Sequence, residues 1–336
     1  MTPASKTLIF GGAGFVGLNI AERLLGEGRE VVLFDRQPLP AEASAAFASL
    51  PGRLDMVIGD VNDPHAVAHA FGGGIDSVVL GAAVTADAVR EAREPEAILA
   101  CNLVSLAPIL RMARAAHVRR IVNLGSAAAY GQAAIDLAAV DEDTPPRPTG
   151  LYGITKFGAE MVGQRLASLW SLDFVTLRLS AVFGPWERAT GVRDTTSPQH
   201  QISEAALRGE PALLARPGLR DWVYAPDVAE AVCLVAAAPA LRHAVYNVSS
   251  PWRWSALAWG EALAGSPMAR PGFACRLAGP GETANIALHS TADRGALSTD
   301  RLRRELGWQA RFGLAEAAAH FDPWCRKHAV PHKEAP

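Results

Sequence analysis

Thr7-Leu8-Ile9-Phe10-Gly11-Gly12-Ala13-Gly14-Phe15-Val16-Gly17 is the stretch from which the fold is read. The apolar run ends in two glycines, and Phe15, Val16, Ile20, Leu24 and Leu25 then recur at helical spacing as far as Gly28: strand, tight turn, helix. The glycines satisfy GxGxxG from Gly12 and GxxGxxG from Gly11. Glycines at such a junction let the backbone turn tightly and approach a pyrophosphate, while free amides at the helix start supply a positive end. Close strand–helix packing accounts for the same residues without a ligand, so the triplet alone is weak. Its setting between strand and helix strengthens it. So does Asp35, which ends the next strand, Val31-Val32-Leu33-Phe34, 18 residues after Gly17. A carboxylate there accepts hydrogen bonds from an adenosine ribose and repels a 2'-phosphate, which favours NAD over NADP. The bland reading of Asp35 is a strand-end turn residue. Arg36 follows it and can cover the adenine or meet a phosphate.

Outward from this stretch the pattern repeats. Asp55 to Ile58, Ser77 to Leu80, Ile121 to Leu124 and Phe174 to Leu179 read as further strands with helical segments between them, one starting at Asp63-Pro64 with Asp as cap. Alternation of this kind predicts an α/β fold, a Rossmann-type doubly wound parallel sheet binding ligands at the carboxyl ends of its strands. The second half is broken by Pro185, Pro198, Pro211, Pro217, Pro251, Pro267, Pro271 and Pro280, which suits a smaller, loop-rich C-terminal substrate lobe. The expected division is an NAD-binding domain over 1–180, with elements at about 221–250 returning to it, and a lobe made of 181–220 and 251–330.

Composition narrows the function classes. The 336 residues carry 32 Lys plus Arg against 34 Asp plus Glu, a net charge of -2, so no excess of cation exists to neutralise a nucleic-acid backbone. With 49% hydrophobic and 20% charged residues the chain reads as soluble and globular. Met1 to Thr7 is too short and polar for a signal peptide, and no stretch approaches the roughly 18 apolar residues of a membrane span. Cys101, Cys233, Cys275 and Cys325 lie far apart with no CxxC pair, which fits a reducing cytoplasm and neither zinc nor a disulfide framework. No metal is expected: His65 and His69 share a helix face, but no third ligand accompanies them. Trp252, Trp254 and Trp259 read as core or interface aromatics, with a substrate wall as the alternative.

The second motif is Tyr152-Gly153-Ile154-Thr155-Lys156, which puts an ammonium one helical turn from a phenol. A phenol is a poor base at its reference pKa near ~10, and a nearby cation helps its ionised form. Such pairs are common on solvated helix faces. Ser126 changes the weighing, because it ends the strand Ile121 to Leu124 in the run Leu124-Gly125-Ser126-Ala127-Ala128-Ala129-Tyr130-Gly131, where a hydroxyl can reach a substrate oxygen.

With these motifs in order, the sequence resembles the extended short-chain dehydrogenases/reductases of the NAD-dependent epimerase/dehydratase family. Gly59-Asp60-Val61 stands where the family has an adenine contact, Leu80-Gly81-Ala82-Ala83 where it lines the cofactor, and Asn102 where it has its helix Asn. Leu177-Arg178-Leu179 leads to Phe183-Gly184-Pro185, followed by Arg220-Asp221-Trp222-Val223-Tyr224, Asp227-Val228-Ala229, Tyr246-Asn247-Val248 and Arg303-Arg304-Glu305-Leu306-Gly307-Trp308. The resemblance implies that Tyr152 is the general acid/base, that Lys156 activates it and holds the nicotinamide ribose, and that Ser126 polarises the substrate oxygen. Gly11, Gly14, Phe15, Val16, Asp35, Arg36, Asp60, Val61, Leu80, Ala82, Ala83 and Asn102, with Tyr152 and Lys156, are the implied cofactor contacts. A homodimer through the helices Leu103 to His117 and Leu151 to Leu169 is implied as well.

Departures from the family refine the expected reaction. Ala127 and Ala128 stand where dehydratases of nucleotide sugars carry Asp-Glu, which disfavours water elimination. In Ser180-Ala181-Val182-Phe183, Ala181 stands where many nucleotide-sugar enzymes have an Asn that meets the sugar nucleotide, and Leu214-Ala215-Arg216-Pro217-Gly218-Leu219 replaces a GDGxQ-like stretch. The preferred expectation is an NAD-dependent dehydrogenase or reductase acting at a secondary alcohol or ketone of a sugar, sugar acid or related polyhydroxy substrate. The alternatives are a nucleotide-sugar 4-epimerase that keeps its NAD and, from another class, a non-catalytic NAD sensor. Ser126, Ala127 and Ala181 are candidate substrate contacts. Arg188, Arg193 and Arg220 are candidate carboxylate or phosphate clamps, each with a solvated or locally paired arginine as the plain alternative.

Overall fold

The apolar runs become strands because each can be covered on both sides. In the computed structural model, which describes residues 6–288, 290 and 292–328, they form one seven-stranded sheet. Its strands are β1 (Lys6–Phe10), β2 (Glu30–Asp35), β3 (Arg53–Ile58), β4 (Ile75–Leu80), β5 (Arg120–Ser126), β6 (Phe174–Leu179) and β7 (Val245–Val248). Their order is β7-β6-β5-β4-β1-β2-β3 and every pair is parallel. Successive strands run one way from β1 to β3 and then jump to β4 on the other side of β1. That reversal opens a crevice at the carboxyl ends of β1 and β4, where this class of sheet takes its ligands.

Alternate residues of β1 define the two core layers. Ile9 packs with Val79, Val122 and Leu177 beneath α1 (Phe15–Gly26), while Leu8 and Phe10 pack with Phe34, Val78 and Ile121 on the opposite face. The second layer is closed by α2 (Pro64–Ala70), by α4 (Pro95–Ala115), which follows the short α3 (Ala88–Arg93), and by α5 (Leu151–Trp170). Asp63 caps α2 as expected, accepting from the His65 amide at 2.9 Å, and His65 and His69 are exposed on it.

Two expectations need correction here. The helix read from Leu103 to His117 starts at Pro95, where Pro suits a first turn, contains a π-helical turn over Ala100–Val104, and ends at Ala115. That helical stretch, Pro95–Ala115, also has the length and mean hydropathy (1.4) that a membrane span needs by composition, contrary to the sequence reading. In the fold its Leu106, Ile109, Leu110 and Ala113 are part of the second core layer.

Beyond β6 the chain builds a lobe around its own aromatic core. Phe183, Trp222, Tyr224, Trp254 and Trp259 pack with Ile202 of α6 (Pro198–Arg208) and Leu263, while Trp252 is 42% exposed. Short pairings stitch the lobe together: Leu219–Arg220 antiparallel to Trp254–Ser255, and Pro211–Leu214 parallel to Ala274–Leu277. Between these lobe segments the chain returns to the sheet through α7 (Ala225–Ala237), packed on α1, and through β7. The final helix, α8 (Leu314–His328), closes the lobe with Ala317 and Phe321; residues 329–330 of the expected lobe lie outside the described residues.

Candidate active site

The glycine loop is held by backbone bonds before any ligand is considered. The amides of Gly11 and Gly12 both donate to the Phe34 carbonyl (2.9 and 3.1 Å), and Gly14 N donates to Gly11 O (3.1 Å). Gly11 has φ +73°, and a Cβ on Gly17 would run into the Gly11 carbonyl, so one glycine serves the turn and another the packing of α1 on it. Gly14 is the N-cap of α1 and offers no side chain, leaving the first helical amides without an intrahelical acceptor. Gly11 and Gly14 border a cavity of about 340 Å³ whose other walls include Asp35, Arg36, Asp60, Val61, Ala82 and Ala83. Asp35 accepts from Ala13 N and Gln37 N, both at 3.1 Å, one on each carboxylate oxygen, and Arg36 lies 3.7 Å from Asp60. These residues fit a dinucleotide: bare amides and a positive helix end for the pyrophosphate, and a fixed carboxylate for the ribose.

Several expected cofactor contacts stand elsewhere. Leu80 is buried in the core, the half-buried Phe15 and Val16 side chains pack against the other core layer, and none of the three lines the cavity. Asn102 is spent on the protein. Its Oδ1 accepts from Val84 N (2.7 Å) and its Nδ2 donates to Val84 O (2.9 Å) and to Thr155 Oγ1 (3.1 Å). It thereby holds the β4 exit loop against α5. Arg90, Glu94, Ala97, Cys101 and Val192 also line the cavity and carry no recognisable local pattern in the sequence.

Ser126 ends β5, and Lys156 fastens the Tyr152 turn of α5 to the same strand at Leu124. Ser126 is in register with Leu179 on β6, and its Oγ accepts from Ala128 N at 3.1 Å, capping the 3-10 turn Ala127–Ala129 and leaving the hydroxyl proton free to donate. A Cβ on Gly153 would lie 2.6 Å from the Ala128 carbonyl, so the glycine inside the Tyr-Lys motif lets the first turn of α5 pack closely on that turn. Lys156 is buried, donates from Nζ to Leu124 O at 2.8 Å, and holds Nζ 5.8 Å from the centroid of the Tyr152 ring. The start of α5 is capped from outside, Glu91 Oε1 accepting from Tyr152 N at 3.2 Å. One turn beyond Lys156, Glu160 makes a bidentate pair with Arg178 of β6 (2.6 and 2.9 Å), both side chains buried. The Arg178 guanidinium also lies over the Tyr130 ring at 4.7 Å.

The candidate substrate contacts divide sharply. Ala127 is packed into a small core cluster with Tyr130, Val140 and Leu297 and presents no open methyl. Ala181 is half-buried against the lobe core, its carbonyl accepting from Val223 N at 3.1 Å. Arg193 is paired at 2.8 Å with the buried Glu187, which also accepts from Ser197 N and Oγ, so it is not a free clamp. Arg188 turns the other way, donating from Nη2 to Ala13 O at 2.5 Å on the glycine loop, so it belongs to the cofactor side.

Arg220 alone remains available. It is half-buried, lies over the Trp222 ring at 5.5 Å, and has no hydrogen-bond or ion-pair partner among the described residues. Burial, reinforced by Arg294, pushes its guanidinium down to about 10. Below it, Arg294 and Asp221 form a buried pair at 2.7 Å, and Arg294 also donates to Ser180 Oγ at 2.6 Å. The Ser180 hydroxyl, next to the Ala181 that stands where the family has its Asn, therefore belongs to this network.

A doubly wound parallel sheet with a glycine loop at β1, an acidic end to β2 and a Ser-Tyr-Lys corner at the end of β5 defines an extended short-chain dehydrogenase/reductase. The model of the NAD dependent epimerase/dehydratase family matches residues 7–249, and the chain belongs to that family. It is an enzyme and its cofactor is NAD. A UDP-glucose 4-epimerase of Mycolicibacterium smegmatis is 26% identical over 94% of this chain and 96% of its own. A dTDP-6-deoxy-L-talose 4-dehydrogenase (NAD(P)(+)) of Kitasatospora kifunensis is 28% identical over 70% of this chain and 71% of its own. Among solved structures, MoeE5 in complex with UDP-glucose and NAD superposes with a TM-score of 0.77 at 27% identity, covering 97% of this chain and all of its own.

Proposed function

We propose that the chain catalyses reversible hydride transfer at a secondary carbinol of an anionic sugar or sugar acid, with Ser126, Tyr152 and Lys156 as the reacting corner. The observation that carries this reading is the Lys156–Leu124 bond, which fixes a buried ammonium beside the Tyr152 ring at the strand end that bears Ser126. In the oxidising direction ionised Tyr152 takes the hydroxyl proton, while Ser126, its own oxygen already accepting from Ala128 N, keeps its proton and donates a hydrogen bond to the substrate oxygen. Bound NAD supplies the acceptor for the hydride that leaves the same carbon. Lys156 keeps positive charge next to the phenolate as the proton moves. Arg220, free and half-buried in the lobe, supports an anionic group on the substrate.

The second reading, a nucleotide-sugar 4-epimerase that keeps its NAD, is favoured by the near full-length likeness to a UDP-glucose 4-epimerase. The two separate in one experiment. Purified protein is denatured and assayed for released NAD(H), then native protein is given NAD⁺ with sugars, sugar acids and UDP- or dTDP-sugars while NADH absorbance is followed. Little retained cofactor with NADH formed on one class supports the dehydrogenase. Stoichiometric retained NAD with an interconverted nucleotide sugar replaces it with the epimerase, and neither outcome would sink both.

A homodimer through α4 and α5 is part of this proposal, since Val104, Ile154, Met161 and Leu169 stand 46–63% exposed there. Light scattering at the mass of one chain would refute it. A reducing cytoplasmic setting is proposed from the four separated thiols.

A further inference from the structure

The cavity wall that the nucleotide-binding half does not make is Val192. It sits on the segment from Trp186 to Asp194, which runs between two sides of the cofactor groove. At its inner end Trp186 is 6% exposed, packs edge-on against Phe47 and Trp324, and donates from Nε1 to Glu22 Oε2 of α1 at 2.8 Å. Next to it Arg188 is fastened to the Ala13 carbonyl of the glycine loop. Glu187 and Arg193 brace the middle of the segment against Ser197. At its outer end it pairs like a short parallel strand with the loop after β4: Thr85 N donates to Val192 O (2.8 Å) and Asp194 N to Thr85 O (3.2 Å). Asp87 N donates to Asp194 Oδ2 (3.0 Å), and Arg90 Nη1 reaches both Gly191 O and Asp194 Oδ1 (2.8 Å each).

The two ends differ in what opening them would disturb. The inner end is embedded in aromatic core. The outer end is held by two backbone bonds to Thr85 and by side-chain contact with α3, a helix with no buried residue, Asp194 and Arg90 being 21% and 18% exposed. Releasing it breaks polar contacts that water can replace and empties no core. The segment is therefore built to part at Asp194 and flex between Arg188 and Ser197, which stay fastened.

We propose that residues 189–194 are a strap over the cofactor groove, held at Arg188 and Ser197 and latched by Arg90–Asp194, and that the latch sets how fast the dinucleotide leaves. The inference rests on the cofactor reading above and deepens it, because release each turnover and permanent retention are what separate a dehydrogenase from an epimerase. Val192 closes the groove beside Ala83 and Val84, and the dinucleotide departs when the outer end lifts.

The test is the dissociation rate of NADH, read without turnover. Protein loaded with NADH is mixed with excess NAD⁺ in a stopped-flow instrument and the loss of NADH fluorescence is followed. Asp194→Asn and Arg90→Gln are each expected to speed release about tenfold, and wild-type release is expected to accelerate as salt screens the pair. Val192→Gly, which leaves the latch intact and removes only the wall, is expected to speed release as well. Release within about twofold of wild type in all three variants would overturn the strap. A wild-type chain that binds no NADH would overturn the cofactor reading beneath it, whereas normal NADH affinity with unchanged release removes the strap alone.

Discussion

The cofactor edge and the substrate lobe are built by opposite means. At the cofactor edge the decisive groups lie close in the chain: Gly11 to Gly17 in one loop, Asp35 at the next strand end, and Tyr152 and Lys156 on one turn of α5. In the lobe the network whose charges act on Arg220 joins Ser180, Asp221, Ser249 and Arg294, whose hydrogen-bonded pairs are up to 114 residues apart. A site made of neighbours can change one function at a time. A site made of distant partners fails as a unit, because removing one member leaves the others buried and unpaired.

The largest effect expected under this contrast is Tyr152→Phe. The ring and its packing remain and only the proton carrier is lost, so turnover should fall about 10³-fold with NADH affinity unchanged. Steady-state rates alongside NADH fluorescence titration check both halves of the statement. A fully active variant removes Tyr152 from the chemistry, and lost NADH affinity would show that the corner is not separable from the cofactor edge.

Asp221→Asn should behave differently. Asp221 Oδ2 accepts from Ser249 Oγ (2.6 Å) and Leu297 N (2.9 Å), and Arg294 beneath it is 8% exposed. Leaving that guanidinium buried without its counter-charge should lower stability by about 3–5 kcal/mol and weaken substrate binding together, as Arg220 loses the carboxylate that offsets its repulsion from Arg294. Urea unfolding and KM measure the pair of effects. A loss under about 1 kcal/mol would mean the lobe tolerates single changes as well as the cofactor edge does.

The same contrast explains what could be read from the sequence. The sheet, the glycine loop, Asp35, Ser126, Tyr152 and Lys156 were legible because each sits in a pattern of period two, period 3.6 or fixed local spacing. Asn102 was legible as a position but not as a role, since nothing local shows that its amide is consumed by Val84 and Thr155. Arg188 and Arg193 follow the Phe183-Gly184-Pro185 turn together, yet one reaches the glycine loop and the other Glu187, a choice made by folding rather than by spacing. Arg294, the cation that holds Asp221, carried no signal, because its partners are sequence-distant and a lone arginine in a loop has none of these periods.

Asp227 joins the two regions and gives a pH test. Its carboxylate accepts from Arg311 N (3.0 Å) and Phe312 N (3.2 Å), tying α7 of the sheet layer to the chain entering α8 of the lobe. Burial pushes its carboxyl up to about 6, against the downward pull of those two amides. The folded state therefore binds this proton more tightly than the unfolded chain. The stability Asp227 contributes is full below about pH 4, falls as pH rises towards 6, and stays lost above it, by at most about 3 kcal/mol. The difference in melting temperature between wild type and Asp227→Asn should change across that window and be flat above it. A difference independent of pH would mean the tether does not titrate.

Asp35→Ala is the smallest expected effect and the sharpest test of separability. Removing the carboxylate frees the exposed Gln37 N and the buried Ala13 N and takes one of two carboxylates from the field of Arg188, so the fold should hold with a loss of about 1–3 kcal/mol. NADH should bind about tenfold more weakly for want of the ribose acceptor. NADPH should gain, because a 2'-phosphate would no longer meet a carboxylate while Arg36 and Arg188 remain close by. Arg36 stands on the same cavity wall, and Arg188, though burial holds its guanidinium below the ordinary value, lies within the field of Asp35. Titration of both dinucleotides gives the preference ratio directly. A ratio unchanged from wild type would show that Asp35 serves the glycine loop alone, through Ala13 N, and that discrimination at this edge comes from the closure of the groove.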